Sequence, residues 1–362
     1  MDVITQNSES FLQRYLDNAS PTGFESSGQQ LWLDYVRPFL DKLEVDNYGT
    51  AYGVINPGTK YKVVIEGHAD EISWFVKYIT DDGFIHVVRN GGSDHLIAPS
   101  MRVWVHLRKG GKIEGVFGWP AIHTRTDKDA NIVPALDNIT IDVGGKDREE
   151  VQKMGIHVGC VVTFQDSFTV LNDKYYVGRA LDNRIGGFCI AEVARLLREN
   201  NIKLPFSLYL VNSVQEEVGL RGAEMIANNI KPDVAIVTDV THDTHTPLIS
   251  MKRHGDVRCG SGPTITYAPA VHNKLLDLIV ETAETKEIPF QREAASRSTG
   301  TDTDAFAYAN GGVPSALISL PLRYMHTTVE MAHKDDVNNL IRLIYEALQN
   351  IEYGHDFKYF KV

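Results

Sequence analysis

The chain has 362 residues, 43% of them hydrophobic and 23% charged, the composition of a soluble globular protein long enough for two domains. With 36 Lys and Arg against 47 Asp and Glu the net charge is -11, which argues against partners that present phosphate, so neither nucleic acid nor an anionic membrane is expected. No run approaches the roughly 18 apolar residues of a membrane span, and the opening MDVITQNSESFLQRYL lacks the basic start, apolar run and cleavage site of a secretory signal; the expected location is the cytoplasm.

Between Asp2 and Leu40 apolar residues recur at helical spacing, in Phe11, Leu12, Tyr15 and Leu16 and again in Leu31, Trp32, Tyr35 and Val36, predicting two helices. The run Tyr61 to Glu66 (YKVVIE) is short, apolar and β-branched, and reads as a buried strand ending at Gly67 and His68. From about Glu71 to Val170 the texture changes to short alternating segments between Gly, Asp and Asn: Phe84 to Val88, Arg102 to Leu107, Lys112 to Phe117 and Val161 to Phe168, with a short helix near Glu149 to Met154. This predicts a small β-rich, barrel-like domain inserted into a larger one. After Gly178 the pattern alternates between helices near Asn183 to Glu199, Leu220 to Asn228, His272 to Thr285 and Asp336 to Ile351, and apolar strands at Phe206 to Asn212, Val234 to Val237 and Ser315 to Leu320. The expected fold is α/β, a mixed central sheet flanked by helices, with residues 1–70 and 171–362 forming the main domain and 71–170 the insertion.

Cys160, Cys189 and Cys259 lie far apart with no CxxC spacing, so buried reduced thiols are expected and any metal site must be built from His and carboxylate, a donor set suited to Zn, Co or Mn. Candidates for such a site fall where the predicted strands end. His68 follows the strand 61–67, Glu216 and Glu217 follow 206–212, Asp239 follows 234–237, His326 comes six residues after Leu320, and Asp182 opens a helix. In open α/β sheets such strand ends converge on one crevice. Carboxylates gathered there would repel one another unless cations neutralise them.

Each motif has its own logic. In IEGHADEIS the HxD spacing lets Asp70 orient the His68 ring. In VGRALDNRIGG a carboxylate such as Asp182 can bridge two metals, and Gly186 and Gly187 permit close packing. In SVQEEVGLRGA adjacent glutamates point in different directions, so one can bind metal while the other handles protons; Glu217 is taken for the metal and Glu216 for the proton, against a solvated acidic helix start as the alternative. Asp239 in VTDVTHDTHTP reads either as a terminal ligand or as an acid in a strand-end turn, with His242 and His245 nearby as loop residues; in RYMHTTVEMAH, His326 lies nearer the strand end than His333.

GHADEIS, GRALDNR, QEEVGLRGA, TDVTHDT, GSGP, TGTDTDAF and RYMHTTVE follow one another as in the M42 aminopeptidases, which include glutamyl and deblocking aminopeptidases and the tetrahedral TET peptidases, and the resemblance runs from PTGFE at Pro21 to the last helix. It implies two divalent ions per subunit, Zn first and Co or Mn as alternatives, one held by His68 and Asp239, the other by Glu217 and His326, with Asp182 bridging. It also implies Glu216 as catalytic base, Asp70 supporting His68, peptides with free N-termini as substrates, the insertion as a dimerisation domain, and a homo-oligomer of dimers assembling to a dodecamer. Ser73 and Asn183 stand where the family often has Gly and Asp, and the loops 242–247 and 253–263 are less typical. Competing readings are a metal-dependent deacylase of N-acyl amino acids and a cellulase-type glycoside hydrolase. For the preferred N-terminal residue, His254, Arg258, Arg292 and Arg297 read either as acid-selecting or as solvated cations.

Overall fold

The computed structural model describes residues 3–126 and 132–360. The chain opens with helices α1 (Gln6–Asp17) and α2 (Ser26–Val36), then strands β1 (Lys42–Val45), β2 (Ala51–Ile55) and β3 (Lys62–His68). The insertion follows with β4 (Ser73–Ile79), β5 (Ile85–Asn90), β6 (Arg102–His106), β7 (Lys112–Phe117), β8 (Ile141–Asp142), α3 (Arg148–Lys153) and β9 (Val161–Phe164). The chain returns through β10 (Thr169–Leu171), β11 (Tyr175–Gly178), α4 (Leu181–Glu199), β12 (Ser207–Ser213), α5 (Arg221–Ile230) and β13 (Val234–His242). It ends with α6 (Met251–His254), β14 (Thr264–Tyr267), α7 (Asn273–Thr285), β15 (Gln291–Ala294), α8 (Asp302–Ala307), β16 (Ser315–Arg323), β17 (Glu330–His333) and α9 (Lys334–Gln349).

The large sheet runs β1-β2-β12-β3-β13-β16-β17-β11-β10, with β14 and β15 joined beside β16. Its centre, β12, β3, β13 and β16, is parallel. Those strands are covered on both faces, which is why Val63, Val64, Ile65, Leu208, Leu210 and Val234–Val237 are all buried and read as continuous apolar runs. Helix α4 packs across β3 and β13 with α1, α2 and α9 around it, while α5 and α8 pack together against β12, β13 and β16. Helix α1 shows how sequence makes such a layer: Thr5 caps it by accepting from the Ser8 amide, and Phe11, Leu12, Tyr15 and Leu16 form its buried stripe. Each of these side chains contributes about 1.5–3 kcal/mol by leaving water.

The insertion closes as a six-stranded antiparallel barrel, β4-β5-β8-β7-β6-β9. Period-2 patterning fills it: Val103 and Val105 face inward beside Trp74, Phe117, Ile141 and Val162, whereas Arg102 and His106 face outward. The barrel is finished at Phe164, and β10 already belongs to the large sheet.

Several predicted boundaries move. Strand β13 continues past Val237 to His242, because Thr238–His242 stay paired with Ile318–Leu322, so Asp239 lies inside the strand rather than after it. Strand β16 likewise runs to Arg323, leaving His326 three residues beyond its end instead of six after Leu320. The strand predicted over Val161–Phe168 stops at Phe164. Edge strands β1, β10 and β15 are partly exposed throughout and carry no apolar run to betray them.

Candidate metal centre

Parallel pairing aligns Ser213 at the end of β12 with His68 at the end of β3, and Asp239 in β13 with Ser319 in β16. The chain beyond Ser213 turns at once into the tight 3-10 turn Glu216–Val218, so His68, Glu216, Glu217 and Asp239 gather at one end of the sheet. Asp182 joins them because α4 starts against β3. A Cβ on Gly67 would sit 2.8 Å from the Gly186 carbonyl carbon and 2.9 Å from the Gly187 nitrogen; only glycine lets the backbones approach this closely. Asp182 and its neighbour Asn183 themselves depart from helical φ/ψ, so the regular helix begins two residues later than the reading of Asp182 as its first residue implies.

His68 Nε2 lies 3.2 Å from Asp182 Oδ1, 3.8 Å from Asp239 Oδ1 and 3.8 Å from Glu216 Oε2. His326 Nε2 lies 3.2 Å from Asp182 Oδ2 and 3.5 Å from Glu217 Oε1. Two triads result, His68–Asp182–Asp239 and Asp182–Glu217–His326, each with its donor atoms within 4.8 Å of one another. They share Asp182, which turns one oxygen to each. Two ligand atoms about 2.1 Å from one tetrahedral ion stand about 3.4 Å apart, so the nitrogen–oxygen donor set fits a pair of divalent ions in both chemistry and spacing. All seven candidate site residues are therefore brought together, with Glu216 on the rim of the first triad.

The charges are unbalanced without cations. Burial, reinforced by Asp239, Asp302 and Glu217 against His68, pushes Glu216 up to about 10. Burial and then Asp182 raise Glu217, and burial outweighing His68 raises Asp239 well above the usual carboxylate range. The imidazoles move up as well: burial opposes this, but Asp182 and Glu217 bring His326 to about 11, and Asp182 with Asp70 raises His68. Asp182 is held low despite burial, by both histidines. A metal-free cluster thus draws protons to replace missing positive charge, and divalent ions would displace them.

Asp70 does more than orient His68. Its Oδ1 lies 3.3 Å from His68 Nδ1, while its two oxygens accept the amides of Glu216 at 3.0 Å and Glu217 at 3.2 Å and the Thr22 hydroxyl at 2.9 Å. One buried carboxylate therefore fixes a ring and the glutamate turn together. The turn is entered through Gln215 at φ 58°, and Ala180 and His326 are also left-handed, at 60° and 62°. Such backbones cost about 1–3 kcal/mol and persist where surroundings enforce them.

Glu330 supplies that enforcement, and sequence reasoning missed it. Its buried carboxylate accepts the Asp182 amide at 3.0 Å and the His326 amide at 2.7 Å. It stands four residues after His326, inside the quoted motif RYMHTTVE, where its link to Asp182 is invisible in one dimension. A second missed group lies beneath the site, where the Ser213 hydroxyl sits 2.5 Å from Glu66 Oε1 and 2.6 Å from Asp302 Oδ2. Burial raises both carboxyls, which favours one proton shared between them. His245 instead pairs with Asp256 at 2.7 Å, and His333 caps α9. The 860 Å³ groove lined by Glu9, Lys174, Lys334 and Arg342 contains none of the ligand candidates.

Comparison with known proteins identifies the family of the chain. Residues 49–343 match the family model described as M42 glutamyl aminopeptidase. The chain is 33% identical over 345 residues to lysyl aminopeptidase of Pyrococcus furiosus, covering 94% of this chain and 96% of that one. Among solved structures it resembles the TET aminopeptidase of a marine-sediment Thaumarchaeota archaeon, with a TM-score of 0.90 and 27% identity over 96% of this chain and 97% of the other. It also resembles TET1 peptidase of Pyrococcus horikoshii, described as assembling into a tetrahedron or an octahedral shell, with a TM-score of 0.82, 28% identity and 94% and 98% coverage. By the extent of the family match and the identity to these relatives, the chain belongs to the M42 peptidase family.

Proposed function

We propose that this protein is an aminopeptidase that uses two divalent ions to release the N-terminal residue of peptides. The observation carrying this reading is Asp182, whose two oxygens face two separate histidines, each backed by a further carboxylate. His68 and Asp239 would hold one ion, Glu217 and His326 the other, and Asp182 would bridge them. Zinc is the first candidate, with cobalt or manganese compatible with the same donors. When bound, the ions supply Lewis acidity toward the scissile carbonyl and acidify the attacking water.

The chain's own residues do the rest. Glu216 Oε2 lies 3.8 Å from His68 Nε2, next to the ligands but outside both triads, and takes the proton of the attacking water and returns it to the leaving amine. Asp70 holds the Glu216 amide and the His68 ring at once, so base and ligand keep a fixed separation. Specificity for a free N-terminus follows the family and its named relatives, and so does the proposed homo-oligomer, with the barrel spanning 73–164 as the contact between paired subunits and dimers assembling to a dodecamer. No helix among the described residues is long and apolar enough to cross a membrane, which suits a cytoplasmic enzyme acting on peptides.

The test is a panel of aminoacyl anilides and their N-acetylated counterparts, with wild type and Glu216→Gln. Cleavage of free but not acetylated substrates by wild type, reduced about 100- to 10,000-fold in the variant, is expected. Preferential hydrolysis of acetylated amino acids would favour the deacylase reading, and unchanged activity of the variant would remove Glu216 as base.

A further inference from the structure

The family and the relatives carry names that point to different N-terminal residues, glutamyl and lysyl, so the preference must be sought in this chain's own side chains. On the Asp239 face of β13 lies a carboxylate, Glu293, that the metal centre does not use. Thr241 follows Asp239 by two residues, and pairing of β13 with β16 is unbroken from Ala235 to His242, so both side chains leave the same face, roughly 6.6 Å apart. The Thr241 hydroxyl donates to Glu293 Oε1 at 2.7 Å, and the Thr264 hydroxyl donates to Glu293 Oε2 at 3.3 Å.

Glu293, half-buried on β15, is thus clamped by neutral donors from β13 and β14. Among the described residues no lysine, arginine or histidine forms an ion pair with it; the neighbouring Arg292 points outward to Glu284. A partly desolvated carboxylate with fixed geometry and no cation beside it is favoured by a ligand that brings one. His242 connects this carboxylate to the reaction centre, because its ring feels His254, Glu293, Asp182 and His326 together. Burial, then His254, holds His242 below the ordinary imidazole value, so it forms a neutral wall rather than a competing cation.

We propose that Glu293 selects substrates whose N-terminal residue has a cationic side chain, lysine or arginine. A residue whose carbonyl lies at the His68–Asp182–Asp239 triad has Thr241 next along β13, with the Glu293 carboxylate of β15 hydrogen-bonded to it. A long basic side chain spans that interval and meets the carboxylate, an aliphatic one leaves it unpaired, and an acidic one is repelled. Of the two readings of His254, Arg258, Arg292 and Arg297, the acid-selecting one has no support in Arg292, whose guanidinium is committed to Glu284 and Tyr267.

This assignment rests on the aminopeptidase reading, and one experiment separates the two. Reconstituted enzyme is assayed for kcat/KM on lysyl, arginyl, leucyl and glutamyl anilides, for wild type, Glu293→Gln and Glu293→Lys. Wild type is expected to favour the basic substrates by about tenfold or more, the scale of one charge-assisted contact. Glu293→Gln should erase that preference with leucyl cleavage retained, and Glu293→Lys should shift it toward glutamyl substrate. A wild type that cleaves leucyl or glutamyl anilide as well as lysyl overturns the assignment alone, whatever the variants do. So does an equal loss on all four substrates in Glu293→Gln, since that marks a contact to the shared α-amino group or the fold. A wild type that cleaves none of the four overturns the aminopeptidase reading and this one with it.

Discussion

Replacing Glu330 with Gln probes the frame that holds the centre together without touching a proposed ligand. Its carboxylate accepts two amides, from Asp182 at 3.0 Å and His326 at 2.7 Å. Glutamine keeps one acceptor and turns an NH2 donor toward the other amide, leaving a buried N–H unsatisfied. Leaving a buried donor unsatisfied costs about 1–3 kcal/mol. The same amount, moved into the metal equilibrium, is about a 10- to 100-fold loss of affinity, as is usual for groups that orient metal ligands. Metal-depleted variant and wild type would be titrated with zinc against a competing chelator of known affinity. A variant that binds both ions as tightly as wild type would refute the view that Glu330 sets the positions of Asp182 and His326.

Four further outcomes are expected. Glu216→Gln should retain both ions by elemental analysis while kcat falls about 100- to 10,000-fold; loss of metal in parallel would make it a ligand instead. Gly67→Ala places a methyl 2.8 Å from the Gly186 backbone and should destabilise the fold by about 1–3 kcal/mol in denaturant unfolding. Exhaustive chelation should lower the apparent melting temperature, since ligands bound only by the folded state stabilise it by mass action, and zinc should restore it. Asp336 accepts the amides of Gly260 and Gly262, yet burial raises it from 3.8 to about 6. In that interval the folded state binds more protons at this site than the unfolded state, so its contribution to stability is full below pH 3.8 and falls as pH rises through about 6. The stability of wild type relative to Asp336→Asn should therefore decline from pH 4 to pH 7, and a pH-independent difference would contradict the assignment.

What the sequence made legible follows from where information is local. Strands buried on both faces, such as Val63–Ile65 and Val234–Val237, announce themselves as apolar runs, and ligand candidates at their ends could be placed in one crevice from topology alone. Gly186 and Gly187 could be read as a packing device because glycine in a helix costs stability and needs a reason. The partner that requires them, Gly67, lies more than a hundred residues away and emerged only in three dimensions. Polar continuation hid the true end of β13, because Thr238–His242 are set in the sheet by pairing rather than by apolar side chains, and Pro321 hid that of β16. The short strand β14 and the edge strand β15 beside it also went unseen, and with them Thr264 and Glu293. Glu330 was within a quoted motif but looked like a solvated acid, since its two amide donors come from residues 148 and 4 positions away.

Activity measured against metal content is the most direct test of the central claim. Metal-depleted enzyme would be titrated with zinc, with bound metal quantified and cleavage of a lysyl or leucyl anilide followed at each step. Cleavage is expected to be negligible in the depleted enzyme and to level off at two ions per chain. Full activity in the metal-free protein, or a plateau at one ion with the second without effect, would contradict a centre in which Asp182 joins two ions.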